Sequence, residues 1–254
     1  METLLYITLF APLVGSIFAG TLGGYKKNIL AGLVPSLLLF AATVSAIIQL
    51  FAVLDGHVIS GVLFEWIASG NFRVNFGFTA DQISIVMMCV VTIVSTLVHV
   101  YSIGYMSHDE GFNRFFSYLS LFVFSMLVLV MSDNFLGLFI GWEGVGLCSW
   151  LLIGFWYKKP FATWAANEAF IMNRVADLGM LVGLFILFWQ IGSLKYVDVF
   201  AAVKSVDPTV LSIAAVFLFI GAMGKSAQFP FHTWLADAME GPTPVSALIH
   251  AATM

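Results

Sequence analysis

Charge is what this chain of 254 residues most lacks: Asp, Glu, Lys and Arg together make up 9% of it. That is far from the balance of a water-soluble globule, and no basic tract offers a footing for nucleic acid, so a nucleic-acid role is excluded. Cysteine is almost absent. Cys89 and Cys148 both sit in apolar runs, outside any CxxC or zinc spacing, so a disulfide framework has no support and both thiols read as packing residues. Phosphate loops and HExxH or GxSxG signatures are also missing, which leaves covalent and metal chemistry without a sequence basis.

What is abundant is apolar. Hydrophobic residues make up 61% of the chain, 25 of them Phe, and the mean hydropathy is +1.00. These values describe an integral membrane protein. A span needs about 20 apolar residues, and the sequence predicts an all-α, polytopic transmembrane helix bundle. The first helix runs near Leu4 to Gly20; Glu2 stands where a signal peptide would be basic, so this span is expected to be retained. Further spans are expected at Ile29 to Leu54, Asp81 to Met106, Phe115 to Met131, Asn134 to Phe155 and Ala162 to Gln190, with Asp133 as the cap between four and five. Between Asp55 and Ala80, alternation over Phe72–Thr79 predicts a hairpin outside the bilayer. Residues 1–106 and 107–254 form the expected two parts.

A seventh span from Thr209 to Glu240 is too long for one crossing and holds Pro230, which removes a backbone donor and is expected to break it. An eighth helix begins after Gly241-Pro242-Thr243-Pro244, and about ten residues cannot span a bilayer, so the chain is expected to be the front portion of a longer one. Under strict alternation, Lys26, Lys27, Arg114, Lys158 and Lys159 share one side, the expected cytoplasm, and Arg73, Lys195 and Lys204 the other.

The few charges inside spans carry the most information, because an ionisable side chain at mid-bilayer costs roughly 2.5 to 3.5 kcal/mol and turns toward protein or water. Glu143, Arg174, Asp177 and Lys225 each fall near the middle of a span, and His250 does so if helix eight is completed. Groups on four helices at one depth describe a polar line running sideways through the membrane. Arg174 and Asp177, three apart, share a face and can pair. Arginine does not deprotonate and cannot relay a proton. A lysine can: moving a carboxylate toward or away from it switches it between holding and releasing a proton. Gly141, Gly144 and Gly146 allow close approach around Glu143. His232, Asp237 and Glu240, past the break, read as a water-facing segment; His99 and Glu168 read as hydrogen-bonded structural groups.

The strings Gly141-Trp142-Glu143-Gly144-Val145-Gly146, Asn173-Arg174-Val175-Ala176-Asp177, Gly224 through Trp234 and Asp237 through Met254 resemble the antiporter-like subunit L (chain 5) family of respiratory complex I, the NADH:quinone oxidoreductase. The resemblance implies one half of an inverted-repeat antiporter-like fold. It also implies a coupling pair matching Glu143 and Lys225, with Asp177 and Arg174 beside them and His250 on the connecting axis. It implies no cofactor in this chain, with NADH, FMN, Fe–S clusters and quinone in partner subunits. The expected partners are other membrane subunits of complex I, the lipid bilayer and protons, in a bacterial inner membrane or a mitochondrial one. Two rivals are the large subunit of a multisubunit Na+/H+ antiporter, which shares the Lys-Ser-Ala-Gln and Pro-Thr-Pro patterns, and a haem-binding electron carrier using His99 with His250 or His232.

Overall fold

A computed structural model describes residues 1–22, 27–70 and 72–249. Among the described residues seven helices are long and apolar enough to cross a membrane: α1 (Glu2–Thr21), α2 (Leu30–Leu54), α3 (Gln82–Tyr105), α4 (Phe112–Met131), α5 (Phe135–Ile153), α6 (Pro160–Ile191) and α8 (Pro208–Lys225). A short α7 (Tyr196–Ala202), absent from the sequence expectation, lies between α6 and α8. The expected hairpin is present as β1 (Ile59–Ser69) and β2 (Phe72–Ala80), antiparallel from Ile59↔Ala80 to Ser69↔Phe72.

Local chemistry sets the helix starts. Asp81 Oδ1 accepts from the Ser84 amide at 2.8 Å while Ser84 Oγ accepts from the Asp81 amide at 2.8 Å, a reciprocal box that opens α3. Asn134, not Asp133, caps α5: its Oδ1 accepts from Gly137 N at 2.8 Å, whereas Asp133 receives the Asn134 side-chain amide at 2.6 Å. Asp207 Oδ1 accepts from Thr209 N at 2.7 Å before Pro208 in the first turn of α8, and that backbone bond holds the exposed Asp207 carboxyl below its usual range.

The hairpin and the starts of α1 and α5 mark one end of the bundle. A Cβ on Gly61 would stand 2.6 Å from Tyr6 Oη, and Asn134 Nδ2 donates to the Asn75 carbonyl at 3.1 Å. The opposite end gathers the basic connections. Lys27 donates to the Ser107 carbonyl, Asn113 Nδ2 to the Leu22 carbonyl at 2.7 Å, and Arg114 Nη2 to the Phe155 carbonyl at 3.1 Å. The core between these ends joins α1 through α5, with Phe112, Phe115, Phe116 and Phe122 fully buried in α4.

Against this core, α6 and α8 form a separate pair. Gly179 and Gly183, four apart on α6, face Ile220 and Leu218, while Gly221 on α8 faces Met180. Small residues at this spacing let helix backbones approach closely, which is what drives association when lipid tails are as apolar as the side chains. On α8 only Ala214, Gly221 and Gly224 are buried.

The long seventh span is corrected by the structure. Its helix ends at Lys225, so the interruption takes in Pro230 but begins well before it, at Ser226. The helix closes because Ala227 adopts a left-handed φ of +48°, with Ala227 N donating to the Gly224 carbonyl at 3.2 Å and Gln228 N to the Met223 carbonyl at 2.9 Å. This Schellman closure satisfies the last carbonyls, so the missing N–H of Pro230 is not what stops the helix. Beyond it only α9 (Thr233–Asp237) and one 3-10 turn (Ala238–Glu240) follow, leading to Gly241 beside Ile153 and then to α10 (Thr243–Ser246).

Candidate functional site

Where α5, α6 and α8 meet, the intramembrane charges converge. On α5, Glu143 forms an ion pair with Arg174 of α6, and Arg174 Nη2 also donates to the Glu143 carbonyl at 3.4 Å. Arg174 Nη1 lies 3.6 Å from Asp177 Oδ2, so the Arg174–Asp177 pair expected from their spacing is formed. One guanidinium thus serves two carboxylates, with its Cζ 4.7 Å from the Phe170 ring centre.

Lys225 closes the site from α8. Its Nζ is buried, and among the described residues it has no hydrogen-bond partner and forms no ion pair with Glu143. The expected coupling pair is therefore not in direct contact here; Arg174 takes the carboxylate. What lies beside Lys225 is Trp142, whose ring centre is 5.7 Å from Nζ and whose Nε1 donates to Asp177 Oδ1 at 2.6 Å. The indole offers its face to the cation and its N–H to the anion, bridging Lys225 and Asp177.

Gly146 is what lets the two cations approach. A Cβ there would run into Arg174 Nη2 and lie 2.9 Å from Lys225 Nζ. A neighbouring cavity of about 210 Å³, lined by Lys225, Ser226, Trp142, Val145, Met126 and Leu129, has room for several water molecules. Behind α8, the fully buried Trp234 donates from Nε1 to the Gly224 carbonyl at 3.0 Å and ties α9 back onto the end of the helix that carries Lys225.

The remaining sequence candidates separate cleanly. His250 lies outside the described residues. His232, Asp237 and Glu240 are exposed past the break, and Glu168 is half-buried. His99 is fully buried with both ring nitrogens engaged, Nδ1 with the Ser95 carbonyl at 2.8 Å and Nε2 with Ser120 Oγ at 3.1 Å, which leaves neither free as an axial ligand. Among the described residues no cluster of His, Cys, Asp and Glu is placed to hold a metal ion. From sequence alone Trp142, Phe170 and Trp234 read as lipid-facing or packing aromatics; the signal that could have marked them is that Trp142 adjoins Glu143 and that Phe170 and Trp234 stand four residues from Arg174 and Pro230.

Comparison with known proteins gives the setting. Residues 132–254 match the family described as NADH:quinone oxidoreductase/Mrp antiporter, transmembrane, and residues 66–116 match the NADH-ubiquinone oxidoreductase (complex I) chain 5 N-terminus. Over its whole length the chain is 61% identical to the NADH-quinone oxidoreductase subunit L of Campylobacter jejuni and 49% identical to that of Rickettsia typhi. It spans about two fifths of those relatives, 41% and 40% of their lengths. Among solved structures, the Mrp complex from a Dietzia species matches with a TM-score of 0.82 at 29% identity over 99% of this chain and 26% of that one. The archaeal membrane-bound sulfane sulfur reductase matches with a TM-score of 0.84 at 17% identity, over 98% of this chain and 50% of that one, a likeness of fold alone. With the helical bundle, the interrupted α8 and both family matches in agreement, the chain belongs to the antiporter-like membrane subunits of the NADH:quinone oxidoreductase/Mrp family, in line with subunit L over its N-terminal portion.

Proposed function

We propose that the chain serves as the non-redox, proton-translocating part of an NADH:quinone oxidoreductase, in which Lys225 takes up and releases the proton and Glu143, Asp177 and Arg174 govern when it does so. The observation that carries this reading is the buried, unpartnered Lys225 Nζ set beside an arginine that holds two carboxylates. Arg174 keeps its proton and acts by position. When it holds Glu143 and Asp177, neither carboxylate is free for Lys225; when one is released, the lysine gains a counter-charge and its grip on a proton changes. Breaking or remaking a buried pair moves several kcal/mol, enough for the roughly 2.3 kcal/mol that one charge requires against 100 mV. NADH oxidation and quinone reduction, with FMN and Fe–S clusters, belong on this reading to other subunits, and the partners are other membrane subunits in a bacterial inner membrane. His250 would continue the polar line.

The test is Lys225→Ala in the full-length subunit within the assembled complex. Loss of quinone-linked proton pumping with assembly intact is expected, and unchanged pumping would sink the mechanism. A second reading, the large subunit of an Mrp-type Na+/H+ antiporter, is favoured by the 29% identity to the Mrp complex. Sodium-dependent proton exchange without NADH oxidation would select it; copurification with quinone-reducing flavoprotein subunits would reject it.

A further inference from the structure

At the basic end of the bundle, away from the charged site, a charged cleft and a largely apolar groove share one wall. The cleft, about 530 Å³, lies between the α3–α4 and α5–α6 connections; the groove, about 280 Å³, runs from it between α4, α5 and α6. Arg114, Phe155 and Tyr157 line both.

Arg114 sits in the first turn of α4 with its guanidinium held against two rings, its Cζ 4.8 Å from the centre of Phe155 and 4.9 Å from that of Tyr157. Its hydrogen bonding among the described residues is the single donation to the Phe155 carbonyl, and none of their carboxylates pairs with it. Lys158 and Lys159 stand exposed at the same rim, also without ion pairs, with Lys159 over the Trp156 ring at 4.3 Å. Two carboxylates share the cleft with the three cations, which leaves a net positive charge: Asp109 accepts from Gly111 N at 2.7 Å and Trp156 Nε1 at 2.9 Å, and Glu110 is exposed. One turn deeper along α4, about 6 Å, Tyr118 begins the groove, with Leu151 and Trp150 opposite.

We infer that this surface binds one anionic phospholipid, its phosphodiester on Arg114, Lys158 and Lys159 and one acyl chain in the groove beside Tyr118 and Leu151. A phosphodiester accepts hydrogen bonds without donating any, which suits an arginine whose planar fork lacks a carboxylate partner. Basic residues at the membrane surface attract anionic headgroups, and a rim of Trp and Tyr is the usual interfacial anchor. The charged cleft placed directly above an apolar slot fits a molecule carrying both chemistries, which a free phosphate does not.

The experiment reconstitutes the full-length protein in phosphatidylcholine nanodiscs with added phosphatidylglycerol and counts retained lipids by native mass spectrometry. One phosphatidylglycerol should persist on the wild type, bound about tenfold more weakly in Arg114→Gln, with intermediate retention in Arg114→Lys. The surface variant Lys158→Gln/Lys159→Gln, which alters exposed side chains and gives up only the Lys159 contact with the Trp156 ring, should weaken it by roughly fivefold or more and decides the matter if Arg114→Gln does not fold. Unchanged retention in that surface variant, equal retention of phosphatidylcholine, or displacement of the lipid by inorganic phosphate alone would each overturn the inference. None of these outcomes bears on Lys225.

Discussion

The helices α1 to α4 and the junction of α5, α6 and α8 both put polar groups into apolar surroundings, and they do so in opposite ways. In the first region the groups are neutral and mostly bonded across helices, although Gln49 Oε1 and Ser95 Oγ are buried without a hydrogen bond among the described residues. Gln49 Nε2 donates to Thr8 Oγ1 at 2.9 Å, Thr43 and Thr96 share a hydroxyl bond of 2.8 Å, and Ser16 donates to the Ser117 carbonyl at 2.8 Å. In the second most are ionic: Lys225 Nζ, Arg174 Nε and Asp177 Oδ2, with the neutral Asn173 Oδ1, are buried without a hydrogen bond among the described residues. Neutral bonds of the first kind fix a structure. Shared and missing partners among charges leave alternatives close in energy, which the proposed proton switch requires.

Substitutions can break or sharpen that contrast. Arg174→Met strands Glu143 and Asp177 and is expected to cost about 3 kcal/mol, whereas Thr43→Val in the scaffold should cost only about 1 kcal/mol; thermal unfolding of the solubilised protein measures both. Two glycines five residues apart on α5 should behave differently. At Gly141 a Cβ meets the Leu129 backbone, which cannot yield, so Gly141→Ala should destabilise by about 2 kcal/mol. At Gly146 it meets the tips of Arg174 and Lys225, which can swing aside, so Gly146→Ala should leave the unfolding temperature near wild type yet slow proton pumping in the assembled complex. A small effect of opposite sign is expected at the helix closure. Ala227 carries the left-handed strain a glycine would not, so Ala227→Gly should stabilise by a net of roughly 0.5 kcal/mol in the same unfolding assay.

Much of this was legible in the sequence because the membrane enforces simple rules. Spans must be long, apolar and helical, so seven were expected, six with both ends near the observed ones and the seventh run past its end at Lys225, and alternation over Phe72–Thr79 disclosed the hairpin. Lys225, Glu143, Arg174 and Asp177 stood out for the same reason, since charge inside a span needs a partner. Who partners whom was not legible: both Arg174 and Lys225 reach the Gly146 face of α5, yet Glu143 pairs with Arg174, and how the helices are rotated against one another is not contained in spacing along the chain. The end of α8 was misplaced because proline is a conspicuous breaker, while an alanine in left-handed conformation carries no sequence mark. Short α7 was missed because so few residues show no period.

The central claim is that Lys225 exchanges a proton and does more than supply a positive charge. Lys225→Arg separates the two, because arginine keeps the charge and does not deprotonate. Quinone-linked proton pumping by the assembled complex carrying this substitution is predicted to be lost while assembly persists; pumping at the wild-type rate would contradict the account.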